Sequence, residues 1–345
     1  MLCSYCQPHF KCAWEADGRR LPRICPIPPD VVAATSSASV DLHSFRGTHS
    51  DAAGTTLLVT THFNPCGYRR LRQTYYEWAD TLGELQKHLV CVELVLDDDS
   101  PEITGSVVLR GTRKKHVLWQ KEAMLNYALR KLTRGKKYFC WLDHDLVMGQ
   151  DDWLSTAAGL LEQGNTAVQL FSHVSFLNES RQVTETRPGA VFALHTTGKA
   201  NGSPGGAWLA KTATIKKMGG LFDYHIVGAG DQLTFDAMCG TSTNAQVPQS
   251  ANSHKLSDEW VATTRRKVSK VSAAYLDATC YHLFHGTRSR RQYIARHAEL
   301  VRTDFNPLTE LTRTADGLLE WRNPDSEVVK HVHDYFLGRD EDNTT

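Results

Sequence analysis

From residue 57 onward the chain alternates two kinds of apolar pattern. Short runs rich in β-branched and aromatic residues read as buried strands: TLLVTTHF, VCVELVLDD, KYFCWLDHD and TAVQLFS. Between them lie longer stretches with apolar residues at three- and four-residue steps. Leu71, Tyr75, Trp78, Leu82, Leu85 and Leu89 fall on one helical face, and so do Leu118, Leu125, Leu129 and Leu132. DDWLSTAAGLLEQ reads as a helix begun by acids, with Asp151 and Asp152 favouring its N-terminus. Strands separated by helical crossovers predict an open α/β sheet, mostly parallel, with helices on both faces. Ligands bind such sheets outside the carboxyl ends of the strands. Three strand ends here carry polar groups: Thr60, Thr61 and His62; Asp97, Asp98 and Asp99; Asp143 and Asp145.

The second half is less regular. Residues 172–206 read as loop-rich, with RPGA and NGSPGGAW, followed by a helix KTATIKKM. Residues 275–285, YLDATCYHLFH, read as a strand ending in two histidines, and SRRQYIARHAELVR as a basic helix. The pattern divides the chain into a Cys/Pro-rich head (1–29), a Ser/Ala/Thr-rich linker or arm (30–56), the main domain (57–338) and a disordered tail (339–345).

Composition narrows the class. Apolar residues make up 41%, enough for a large core, and charged residues 22%, as in a water-soluble globular protein. No apolar stretch reaches the roughly 18 residues of a membrane span, and the first residues do not read as a signal peptide. A reducing cytoplasm is the expected location, in a bacterial or phage-infected cell. The net charge of +1 decides nothing about partners. Four of the nine cysteines, Cys3, Cys6, Cys12 and Cys25, crowd the head. Their spacing suits a structural Zn²⁺ module, and equally a loose Cys-rich leader.

The Asp143–His144–Asp145 triplet carries the chemistry. Two carboxylates at one strand end repel unless one keeps its proton or a cation joins them. Hard divalent cations such as Mn²⁺ and Mg²⁺ take carboxylate oxygens and bridge to phosphates.

With these residues in view, the chain resembles GT-A glycosyltransferases. WLDHDLVM is similar to their Asp-x-Asp strand, and LWQKEAMLNYAL to the helix before it in a family-two-like bacterial or phage branch. PGGAWLAKTATIKKMGGLFDYHIVGAGDQLTFDAM resembles the acceptor-loop and Gly-x-Gly-acid segment, shared with β-1,4-galactosyltransferases. YHLFHGTRSRRQYIAR resembles the late metal-binding histidine segment. The likeness covers roughly 57–335, with its motifs in order.

The resemblance implies a GT-A (Rossmann-like) fold and a hexosyltransferase that uses a nucleotide diphosphate sugar, UDP-sugars first. It implies Asp145 as direct metal ligand, Asp143 as its support or a ribose contact, and His285, ahead of His282, completing the shell. Thr61, His62, Asp97 and Lys121 take the nucleotide, with Asp97 accepting from the uracil imide or ribose hydroxyls. Gly205, Gly206 and Trp208 shape the floor under the donor sugar; Trp208 reads equally as core. Asp231 becomes the general base of an inverting displacement, or else a helix cap. Related motifs often carry two adjacent acids where this chain has Asp-Gln.

The acceptor is legible only through charge. Basic residues cluster at 113–115, 134–137, 265–270 and 288–291, and a basic rim can track nucleic-acid phosphates. This favours DNA carrying hydroxymethylated pyrimidines, such as 5-hydroxymethylcytosine, over a saccharide or glycolipid precursor. A non-catalytic nucleic-acid-binding protein on the same shell is the alternative of another class.

Overall fold

A computed structural model describes residues 38–242, 247–268 and 272–343. The four N-terminal cysteines, and the zinc reading attached to them, lie outside the described residues.

The chain forms a mixed α/β fold around a seven-stranded, mostly parallel sheet. Its strands are β1 (Thr56–Phe63), β2 (Leu89–Leu96), β3 (Val107–Gly111), β4 (Tyr138–Leu142), β6 (Ala167–Gln169), β9 (Ala207–Lys211) and β10 (Ala273–Tyr275), in the order β10-β6-β9-β4-β1-β2-β3. Only β9 runs against its neighbours, β4 and β6. The continuous apolar runs follow from burial on both faces. Leu57, Val59, Phe139 and Trp141 join one core, with the helix Lys121–Lys131. The alternate residues Leu58, Tyr138, Cys140 and Leu142 join the other, with the helices Arg69–Thr81 and Trp153–Glu162.

A four-stranded sheet stands beside it: β5 (Leu146–Met148), β7 (His173–Leu177), β8 (Val183–Pro188) and β11 (Thr279–His282), ordered β5-β11-β7-β8. β5 follows Asp145 directly and pairs antiparallel with β11, placing His282 opposite Leu146. The backbone N–H of Leu283 donates to the Asp145 carbonyl at 2.7 Å. This pairing joins chain segments about 140 residues apart.

Several expectations change. The helix after β1 ends at Thr81; a 3₁₀ stretch, Gly83–His88, follows, and Leu89 opens β2. The segment 172–206 is not mainly loop, for it contains β7, β8 and the helix Ala190–Thr197. Residues 289–302 form short turns and one helix, Ala298–Arg302, in place of a single basic helix. Asp151 caps no helix. Its carboxylate accepts from the Arg46 N–H at 2.9 Å and its carbonyl from Thr48, fastening an arm that buries Leu42 and Ala53.

The expected disordered tail is packed through Asn343. The Asp342 carboxylate accepts the Arg69 and Arg70 N–H groups at 3.1 and 2.7 Å, capping the first turn of the helix Arg69–Thr81. The Tyr68 hydroxyl donates to the Leu337 carbonyl at 2.7 Å. A run of polar residues gives no apolar period to read, so only tertiary contacts reveal its order. Among the described residues no helix is long and apolar enough to cross a membrane.

Candidate active site

The carboxyl ends of β1 and β4 open into a cleft with about 760 Å³ of empty space, mouth included. Thr61, Lys121, Asp143, Asp145 and His285 line its polar side; Phe63, Tyr68, Trp119 and Phe336 line its aromatic side. Two polar clusters meet there.

The first is Asp145 with His282 and His285, whose ligand-type atoms all lie within 4.8 Å of one another. Asp145 Oδ2 is 2.8 Å from His285 Nε2 and 3.5 Å from His282 Nε2. The other ring nitrogens are already engaged. His285 Nδ1 is 2.6 Å from Glu341 Oε2, and His282 Nδ1 is 2.7 Å from the Leu283 carbonyl. Both acceptors need an Nδ1–H donor, so in the neutral rings Nε2, the atom nearest Asp145, carries the lone pair. Carboxylate–imidazole pairs of this kind orient metal-ligating histidines. Burial opposes ionisation of Asp145, but His282, His285 and Arg291 outweigh it and hold the carboxyl well below its usual range. Burial, with Arg291 nearby, pushes the His282 ring down to about 3, so it stays neutral and able to ligate. For Glu341 burial again opposes charge, yet Arg339, His285 and Arg291 hold it down, to about 2. For His285 burial and Arg291 favour the neutral ring, but Glu341 and Asp145 outweigh them and raise its pKa. One carboxylate and two imidazoles whose Nδ1 atoms are already engaged form a donor set that fits a divalent cation, which displaces the remaining ring proton on binding.

Glu341 is 2% exposed, and its acceptor fixes the His285 tautomer. Glu341→Ala is expected to weaken Mn²⁺ binding about 10- to 100-fold, read from the free-Mn²⁺ EPR signal. An unchanged affinity would make Glu341 a packing residue only.

The second cluster centres on Lys121, the first residue of the helix Lys121–Lys131. Its ammonium is 2.6 Å from Asp143 Oδ1 and donates to Asp231 Oδ1 at 3.2 Å. Despite burial, the two carboxylates keep Lys121 charged. Burial pushes Asp143 up to about 7, with Lys121 opposing and Asp231 adding to the rise. Glu122, also enclosed beside Asp231, rises to about 8. Three carboxyl groups around one ammonium therefore retain a proton near neutrality.

Asp231 lies in the first turn of the helix Gly230–Cys239, entered through Gly228 and Ala229, both at positive φ (96° and 85°). A side chain on Gly205 would sit 2.4 Å from Asp231 Oδ2, so only glycine lets that loop pass beneath the carboxylate. Gly206 has φ 97° and its carbonyl accepts the Asp143 N–H at 2.7 Å.

The sequence-predicted residues divide accordingly. Asp145, His282 and His285 come together. Asp143 turns to Lys121 and is not part of the histidine cluster, because a buried ammonium is the nearer countercharge. Thr61 faces the cleft; His62 lies behind it, 2% exposed, 2.7 Å from Glu102. Asp97 does not line the cleft: its carboxylate pairs with Arg113 at 2.9 Å in an exposed turn. Trp208 is core, stacked on Trp141 with centroids 6.1 Å apart, and its indole N–H holds the Pro204 carbonyl at 2.9 Å. It steadies the glycine loop from below. Glu341, Arg291 and Glu122 were not singled out in the sequence. Of these only Arg291 left a trace, as part of the basic run after His285.

No sequence-family model matches the chain, and no curated protein does. Among solved structures it is similar to the catalytic domain of Drosophila β1,4-galactosyltransferase 7 in complex with xylobiose. That match has 10% identity, spans 77% of this chain and 90% of that one, and has a TM-score of 0.36. A mutant of the same enzyme, in complex with manganese, UDP-Gal and xylobiose, gives 9% identity, 77% and 91% coverage, and a TM-score of 0.35. Residues 1–349 of S. aureus TarS give 12% identity, 83% and 71% coverage, and a TM-score of 0.34. These likenesses are loose, and the functional reading stands on the chain's own geometry.

Proposed function

We propose that this chain is a metal-dependent glycosyltransferase of the GT-A type. It moves a sugar from a nucleotide diphosphate sugar, UDP-sugars first, to an acceptor hydroxyl with inversion. One observation carries the reading. Asp145, His282 and His285 bring their ligand-type atoms together at an aromatic-walled cleft, beside a second carboxylate cluster containing Asp231. Two imidazoles beside one carboxylate weigh toward Mn²⁺ over Mg²⁺, which prefers an oxygen shell. Bound there, the cation supplies Lewis-acid stabilisation to the departing diphosphate.

The chain's residues do the rest. The aromatic wall receives the base and Thr61 stands at the strand end beside it. Lys121 places a positive charge between Asp143 and Asp231, at the polar side of the cleft. Asp231 takes the proton from the acceptor hydroxyl as that oxygen attacks the anomeric carbon, and the bond from that carbon to the diphosphate oxygen breaks. Gly205, lacking a side chain, lets its loop pass directly against the Asp231 carboxylate and so holds the base in place.

DNA with hydroxymethylated pyrimidines and saccharides are the two acceptor pools. The basic clusters lend DNA little support, because many of their side chains are spent on ion pairs. Arg113 pairs with Asp97 and Asp99, Lys114 with Asp325, Lys137 with Glu162, Arg288 with Glu185 and Arg290 with Asp340. The test is UDP release from a panel of UDP-sugars, with Mn²⁺, against 5-hydroxymethylcytosine duplex and oligosaccharides. Release that depends on Mn²⁺ and rises with one pool is expected. No release or donor binding with any sugar would overturn the reading.

A further inference from the structure

The residue that faces the histidine cluster from the opposite side is Arg291. Its Nη2 is 2.7 Å from His285 Nε2 and its Nη1 is 3.3 Å from His282 Nε2. The two rings are stacked, 5.3 Å between centroids and 10° from parallel, so one planar guanidinium spans both nitrogens. A third contact runs from Nη1 to the Tyr293 hydroxyl at 3.3 Å. The arginine ends a 3₁₀ turn, Arg288–Arg291, and the next residue, Gln292, has φ 45°. A side chain in that left-handed region is uncommon and marks a sharply reversed backbone.

The contacts at His285 Nε2 conflict. An acceptor, Asp145 Oδ2, approaches within 2.8 Å and a donor, Arg291, within 2.7 Å. With Nδ1–H committed to Glu341, a neutral ring has a single lone pair at Nε2, which serves the guanidinium. The carboxylate oxygen then faces that lone pair with no proton between them. A cation held by Asp145, His282 and His285 needs the same two Nε2 lone pairs that Arg291 uses. The guanidinium and the metal cannot hold them together.

We propose that Arg291 is a built-in competitor for the metal. Its guanidinium caps the two imidazoles and must swing away for the cation to be bound. This rests on the metal-dependent reading above. A displaced guanidinium at the edge of the cleft meets the anionic diphosphate of the donor, the strongest new partner for a planar fork of N–H donors. Metal and donor therefore favour each other, and the protein without donor holds metal weakly.

The test is Mn²⁺ affinity without any nucleotide, measured by EPR of free Mn²⁺ and by calorimetry. Arg291→Met is expected to tighten Mn²⁺ binding about 10- to 100-fold, the worth of the lost charge-assisted hydrogen bonds. Its affinity for UDP in the presence of Mn²⁺ should fall. Arg291→Lys, whose single ammonium cannot span both rings, should tighten Mn²⁺ by a smaller factor, and serves if the Met variant does not fold. Arg290→Met, at a side chain paired with Asp340 at 2.9 Å, should leave Mn²⁺ affinity unchanged. Equal or weaker Mn²⁺ binding by both Arg291 variants overturns the competition while leaving the metal site intact. No Mn²⁺ binding by any of the proteins, wild type included, overturns the metal site itself and this proposal with it.

Discussion

Asp145→Ala is expected to lower Mn²⁺-dependent sugar transfer by on the order of a thousandfold or more, since the cation's Lewis-acid role is worth several kcal/mol. Asp145 supplies the only negative charge of the triad. Removing it leaves two imidazoles facing a guanidinium, with no anionic ligand to offset a divalent charge. The carboxyl is held ionised against its burial by both histidines and Arg291, so it is negative throughout the neutral range. Asp145→Asn keeps the shape and should fail almost as badly, which separates charge from packing. The measurements are kcat for UDP release and the free-Mn²⁺ EPR titration. Transfer within about tenfold of wild type in both variants would mean that the triad is not the metal centre.

Asp231→Asn should cut transfer to acceptor about 10²- to 10⁴-fold, the usual worth of a general base, with Mn²⁺ binding little changed. Asp231 lies outside the histidine cluster and its carboxylate is shared with Lys121. Asparagine keeps the size of the side chain that packs against Gly205. The discriminating result is a split. Acceptor-dependent release should collapse while donor binding in the presence of Mn²⁺ survives. A parallel loss of both would make Asp231 a structural partner of Lys121 and not the base.

The alternation that announced an α/β sheet was readable because β1 and β4 are buried on both faces. Their runs are continuous, and alternate residues feed opposite cores. β3 carried only a short, half-exposed run and was passed over. β7 and β8 were hidden in a segment whose glycines and prolines dominate any pattern. The helix drawn through Leu89 failed for a related reason: a 3₁₀ stretch and the next strand both continued the apolar spacing across the true end at Thr81.

The site was partly legible. Asp145 stood out as one of two carboxylates at a strand end, and the resemblance implied His285 and His282 as its companions. The partners of the other candidates could not be read. Asp97 and Asp143 look alike as strand-end acids, yet one meets Arg113 in an exposed turn and the other a buried Lys121. Glu341 sat in a polar run that local pattern marks as tail.

By itself the sequence determined most strands and helices of the parallel core and the acids and histidines that stand at strand ends. Those follow from local period. The tertiary structure decided the rest: which strand runs backwards, which aspartate joins the histidines, and that a glutamate and an arginine from the last sixty residues complete the cluster. The pairing of β5 with β11 sets that geometry, and contacts across about 140 residues leave no mark on the local pattern of either segment.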